Sequence, residues 1–160
     1  MEGKITLREA VSDDIEWLLA IQKASPGAAG WSEAGYESLL SSEGTICLVA
    51  KDEGEVDVSG FILARLMADE MEILNLAVVP AQRRRGLGRR LVAEALGRAG
   101  ARGIKQCWLE VRASNQSALE FYHTVGFQEH TRRRDYYRDP VEDAVVCRRR
   151  LPAPAAGVLP

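Results

Sequence analysis

Apolar and polar positions change period several times along this chain, and each change predicts an element. Residues 5–10 alternate as a half-buried strand does. Ser12 then stands as an N-cap with Asp13 and Asp14 in the first turn, where negative charge suits the helix dipole. Ile15, Leu18, Leu19 and Gln22 share a face, which predicts a helix to about Ala24, followed by a Ser-Pro-Gly-Ala-Ala-Gly loop at 25–30. A short helix capped by Ser32 comes next, with aromatic residues at Trp31 and Tyr36. Residues 46–51 and 56–66 predict two strands joined by an acidic turn in which Gly54 supplies an unusual backbone angle, and Gly60 marks a bulge. Residues 73–79 are branched or apolar almost throughout, as suits a strand buried on both faces, and Pro80 ends it by removing a ladder donor.

Downstream, Leu87, Leu91, Val92, Ala95 and Leu96 form one helix face, with Arg90, Glu94 and Arg98 outside and Gly100 and Gly103 at the end. A strand at 105–111 leads to a helix capped by Ser114 or Asn115, in which Ala118, Leu119, Tyr122 and Val125 face inward until Gly126. Residues 127–134 and 141–149 alternate like an antiparallel pair, with Tyr136-Tyr-Arg-Asp-Pro140 between them. This order predicts an α/β (α+β) domain, a mixed, mostly antiparallel sheet flanked by helices. The domain covers 1–151, and the small residues and prolines of 152–160 predict a disordered tail.

Composition narrows the class. A chain of 160 residues with 46% apolar and 28% charged positions is one ordinary globular domain. No window has the apolar length of a membrane span and the N-terminus lacks signal-peptide regions, so a cytoplasmic protein is expected. Cys47, Cys107 and Cys147 are odd in number and set in apolar segments, which reads as buried thiols with neither a disulfide framework nor a metal site. The net charge of −2 conceals a division: residues 1–80 carry 5 Lys/Arg against 15 Asp/Glu, and residues 81–160 carry 16 against 8, hence −10 and +8. A polyphosphate ligand suits the basic half and a cationic partner the acidic one.

The candidate chemistry starts at Arg83-Arg84-Arg85-Gly86-Leu87-Gly88-Arg89. Glycines between a strand and a helix let successive N–H groups converge where the helix dipole is positive, and a phosphate or diphosphate is their natural partner. A P-loop needs Gly-Lys-Ser/Thr, which is missing. A dinucleotide fingerprint fits Gly86 and Gly88 but puts Leu91 at its third glycine. The pattern Q/R-x-x-G-x-G/A is met in full.

With Trp108-Leu-Glu-Val-Arg-Ala-Ser-Asn115, Ala118-Leu-Glu-Phe-Tyr122 and Gly126-Phe127, that pattern resembles the GNAT (Gcn5-related) N-acetyltransferases, and within them the RimI-like protein N-terminal acetyltransferases, from about Ile5 to about Arg150. The resemblance implies the GNAT acyl-CoA fold of about seven strands and four helices, in which two central parallel strands, here 72–79 and 105–111, splay apart around the pantetheine of acetyl-CoA. It implies Arg84, Arg85, Gly86, Leu87, Gly88 and Arg89 around the diphosphate, and amides of Leu76, Ala77 and Val78 at the acetyl and pantetheine groups. Asn115 reads equally as a coenzyme contact or as a helix cap. Trp31, Ser32, Tyr136 and Tyr137 resemble the acceptor-side residues, although residues 27–30 are extra and Asp135 stands where the family usually has asparagine.

Acetylating an amine requires removing its proton, at a pKa of roughly 8 for a peptide terminus, stabilising an oxyanion and protonating a thiolate. Glu110 at the end of its strand is the candidate base, or else a salt-bridge partner of an arginine; Tyr122 is the candidate acid, or else a core tyrosine. The expected activity is direct acetyl transfer from acetyl-CoA to a protein N-terminus, an alanine of a small-subunit ribosomal protein by resemblance, with no nucleic acid or membrane as partner. A small free amine as acceptor, and a noncatalytic acyl-CoA-binding regulator, are the competing readings.

Overall fold

The computed structural model describes residues 4–55 and 57–152. The disordered tail expected at 152–160 therefore lies, beyond Pro152, outside the described residues. Seven strands, β1 (Ile5–Glu9), β2 (Thr45–Asp52), β3 (Val58–Met67), β4 (Glu70–Val78), β5 (Gln106–Arg112), β6 (Gln128–Tyr137) and β7 (Glu142–Arg150), form one sheet in the order β1-β2-β3-β4-β5-β7-β6. Every pairing is antiparallel except β4 with β5. Helices α1 (Ile15–Lys23) and α2 (Glu33–Leu40) cover one face, packing around Leu18, Tyr36, Phe61 and Leu63; α3 (Leu87–Ala101) and α4 (Gln116–Thr124) cover the other around Leu91, Leu109, Tyr122 and Phe127. Among the described residues no helix is long and apolar enough to cross a membrane.

One irregularity in β4 shapes the molecule. Its register with β3 slips between Leu63 and Ala64, opposite Asn75 and Ile73, so Leu74 is an extra residue. Before the bulge Met71 and Ile73 join the α3/α4 core, whereas after it Ala77 joins the α1/α2 core. A bulge both bends its strand and reverses the alternation of its side chains. The parallel pairing of β4 with β5 accordingly stops at Glu72–Trp108, and the strands diverge beyond. This corrects the expectation of burial on both faces: along β4 buried residues alternate with half-buried ones, and Leu74, Leu76 and Val78 border the open cleft.

Several local expectations change for identifiable reasons. Ser12 is not a cap; it opens a short 3-10 turn, and Asp14 reaches back to accept from Val11 N at 2.8 Å while pairing with Arg8 at 2.7 Å. Gly54 keeps an ordinary φ, because Asp52 Oδ1 accepts its N–H at 3.0 Å and shapes the turn instead. At Gly60 the strand does slip register nearby, and a Cβ there would lie 3.0 Å from Ala77 O, so close approach of β4 also demands glycine. Gly100 falls inside α3, and Gly103, at φ 84, makes the turn out of it. Tyr136 and Tyr137 belong to β6 rather than to the hairpin tip, since a left-handed Asp135 and a register shift prolong that strand. All three cysteines are buried and free, as expected.

Candidate active site

The basic turn forms as its glycines demand. Arg84 and Gly86 are left-handed, at φ 64 and 78, and Gly86 is the N-cap of the 15-residue α3 without any side chain capping it. The amides of Leu87, Gly88 and Arg89 thus open α3 at the positive end of its dipole, a fit for a diphosphate. A Cβ on Gly86 would touch nothing within 4 Å, so conformation rather than space requires glycine there. Gly88 is already inside α3, and a Cβ on it would press Phe121 of α4 at 3.3 Å. Arg83 turns inward, donating from Nε to Val78 O at 3.0 Å and from its terminal nitrogen to Ser25 Oγ at 3.3 Å. Arg84 and Arg89 border the cleft, whereas Arg85 donates to Gln82 Oε1 at 3.0 Å and stays outside it.

The cleft itself, about 890 Å³, occupies the splay. It brings together Leu76, Ala77, Val78, Gly86, Leu87, Gly88, Glu110, Asn115, Tyr122 and Tyr137 of the residues expected from sequence. Val79 N donates to β3 at Ser59 O, 2.8 Å, so the alternation of a ladder turns Ala77 N–H toward β3 and the Leu76 and Val78 amides toward the cleft. Asn75 Oδ1 accepts from Leu76 N at 3.1 Å. Val78 N–H is thus left pointing into the cleft.

Glu110 and Tyr122 stand on opposite faces of the sheet. Cys107, Leu109 and Val111 enter the α3/α4 core, so Glu110 points to the α1/α2 face. Its carboxylate is paired with Arg133 of β6, Oε1 to Nε 3.0 Å, with 19% of the side chain exposed; the salt-bridge partner is thus Arg133, while Arg112 pairs with Glu142. The charge of Glu110 raises the hydroxyl of Tyr136 above the usual phenol range. Tyr122 lies in the α3/α4 core, and burial holds its phenol far above that range, so it is protonated at every ordinary pH.

Of the residues expected on the acceptor side, only Tyr137 borders the cleft. Tyr137 borders the cleft beneath Arg112, 4.4 Å from its ring, and Tyr136 is 48% exposed beside Glu110. Trp31 packs against the α1/α2 core, and Ser32 caps α2 through Gly35 N at 3.0 Å; neither borders the cleft. The 25–30 loop takes their place along its wall. Asn115 does cap α4, accepting from Ala118 N at 3.2 Å, and also faces the cleft. Sequence reasoning passed over Asn75, Gln22 and Tyr36, which form one hydrogen-bonded cluster behind the loop; the available signal was a lone amide inside the otherwise apolar run 73–79.

An uncapped helix start, the splay of β4 from β5, and a carboxylate and phenol on its two sides suit an acyl-CoA-dependent transferase. The profile of the acetyltransferase (GNAT) family matches residues 13–127, and the chain belongs to that family. Within it, the chain is 36% identical over 118 residues to the [ribosomal protein bS18]-alanine N-acetyltransferase of Salmonella typhimurium, covering 72% of this chain and 78% of that one. The Haemophilus ducreyi protein of the same name is 34% identical over 139 residues, 85% and 93% of the two chains. The crystal structure of the ribosomal-protein-S18-alanine N-acetyltransferase from Escherichia coli superposes with a TM-score of 0.83 at 30% identity, over 98% and 99%. The protein is an N-acetyltransferase with the mixed seven-stranded fold of its family, and acetyl-CoA is its acetyl donor.

Proposed function

We propose that this enzyme acetylates the α-amine of a protein N-terminus, with the N-terminal alanine of ribosomal protein S18 as acceptor. The observation that carries the reading is the division of Glu110 and Tyr122 between the two faces of the splay. Acetyl-CoA, anchored at the start of α3 with its thioester between β4 and β5, is approached by the acceptor from the α1/α2 face. The acceptor ammonium displaces Arg133 from Glu110, which takes its proton directly or through water. The freed amine attacks the thioester carbon while Val78 N–H stabilises the oxyanion. The C–S bond then breaks, Tyr122 donates to the departing sulfur, and the second proton released by the nitrogen restores the phenol; the burial that holds its proton also raises the thiolate's demand for one. N-acetylated peptide, coenzyme A thiol and one proton result. Asn115, Arg84 and Arg89, which border the cleft, would hold the coenzyme, and Arg85, outside it, would add only positive charge near the turn. Tyr136, Tyr137, Trp31 and Ser32 would shape the acceptor side, Trp31 and Ser32 by supporting the loop. The surplus of carboxylates in residues 1–80, which form α1, α2 and the first strands, suits a basic chain.

Purified protein with acetyl-CoA should release thiol upon addition of a basic peptide starting with the S18 sequence, and mass spectrometry should find one acetyl group on its α-amine. Acetylation of small amines in preference to every alanine-started peptide would defeat the reading.

A further inference from the structure

The amide of Asn75 does more than satisfy itself. The β4 bulge turns this residue, 5% exposed, from the apolar core toward the α1/α2 face. Its Oδ1 accepts from Ala29 N at 3.2 Å and its Nδ2 donates to Ala29 O at 3.2 Å, the paired bonds that a neighbouring strand would otherwise supply. Gln22, itself in reach of Asn75 Nδ2 at 3.2 Å, makes the same pair to Trp31, accepting from N at 3.1 Å and donating to O at 2.8 Å. Tyr36 completes the cluster, its hydroxyl 3.2 Å from Asn75 Nδ2 and 2.5 Å from Gln22 Oε1. The root of the loop is tied at Ser25, whose hydroxyl donates to Ile21 O at 2.7 Å. Between these ties the loop arches across the cleft: Gly27, at φ 90, comes so near the N-cap of α4 that a Cβ would lie 2.8 Å from Asn115 Nδ2. Two side-chain amides therefore stand in for the backbone ladder that this segment lacks.

We propose that Asn75 is a positioning residue, which fixes the 25–30 loop as the acceptor-side wall of the cleft and thereby sets how tightly the acceptor is held. The proposal rests on the acceptor entering from the α1/α2 face. Losing the amide removes the partner of both polar groups of Ala29 and of Leu76 N–H and unties the loop, but leaves α3, the diphosphate turn and Tyr122 in place. Losing the partner of the half-buried Ala29 backbone corresponds to a factor on the order of 10 in an equilibrium.

The test combines hydrogen exchange with two-substrate kinetics on Asn75→Ala. Amides of 27–30 should exchange at least about tenfold faster while those of α3 and β5 do not change, and the peptide KM should rise about tenfold or more with kcat and the acetyl-CoA KM within about threefold. Ala29→Pro removes one of the same bonds from the loop side without altering the buried amide, and should reproduce the pattern if Asn75→Ala fails to fold. Unchanged exchange in the loop, an acetyl-CoA KM rising as far as that of the peptide, or a fall in kcat alone would overturn the proposal. Should the wild-type enzyme leave the peptide unmodified, the acceptor assignment falls, and the exchange result by itself decides the role of Asn75.

Discussion

The turn proposed to bind the diphosphate and the loop proposed to wall the acceptor side line one cleft but are held by different means. Residues 83–89 work through backbone amides: a left-handed glycine starts α3, and the amides that follow need no side chain to be aimed. The acceptor wall depends on Asn75, Gln22 and Tyr36 binding a loop that has no ladder of its own, and its other side is supplied by Glu110, Arg133 and Tyr137 from distant strands. The first region is local and insensitive to most substitutions, whereas the second fails wherever one long-range bond is lost. That contrast suits an enzyme whose donor is constant and whose acceptor must be selected.

Glu110→Gln should sharpen the contrast most, lowering kcat with peptide by about 100- to 10,000-fold while leaving the acetyl-CoA dissociation constant unchanged. A parallel loss of acetyl-CoA binding, measured by calorimetry, would mean that the two halves are not separable. Tyr122→Phe should lower kcat by about 10- to 100-fold with both KM values nearly constant, and alkaline pH up to the limit of stability should not mimic it, because burial keeps this phenol protonated. Gly86→Ala forces an alanine into a left-handed turn at a cost of about 1–2 kcal/mol, so the acetyl-CoA KM should rise roughly tenfold and the peptide KM should not move.

The smallest effect compares the cores beneath the two regions. Burial pushes Cys47, on the α1/α2 side, and Cys107, on the α3/α4 side, from 9.0 up to about 12. Above pH 9 the unfolded thiols ionise and the folded ones do not, so their contribution is complete below 9.0 and is lost as pH rises toward about 12. Melting temperature should fall across that window, and Cys47→Ala and Cys107→Ala should each flatten the fall. A flattening by only one of them would show the two cores to be unequally dry.

The sheet, the helix order and the basic turn were legible because each rests on short-range pattern: the face of Leu87, Leu91 and Leu96, the cap at Asn115, and Gly86 ahead of a helix. Ser12 and Gly54 misled because Asp14 and Asp52, residues nearby of the same polar kind, took over the bonds. Trp31 and Ser32 were expected at the cleft, but the short helix begins two residues after Trp31 and draws both into support of the loop. Arg133 could not be singled out among neighbouring arginines of an exposed strand, since nothing in its own surroundings along the chain points to Glu110.

By itself the sequence determined where strands and helices form, that a glycine-led helix start follows the central strand, and which carboxylate and phenol line the same cleft, because periodicity, glycine conformation and motif spacing act over a few residues. Tertiary structure decided which face each group serves. One extra residue at Leu74 reverses the side chains of β4, parts it from β5 and sends Asn75 to the loop. A register slip of this kind is set by pairing with the neighbouring strand β3 and leaves no trace in the alternation of β4 alone.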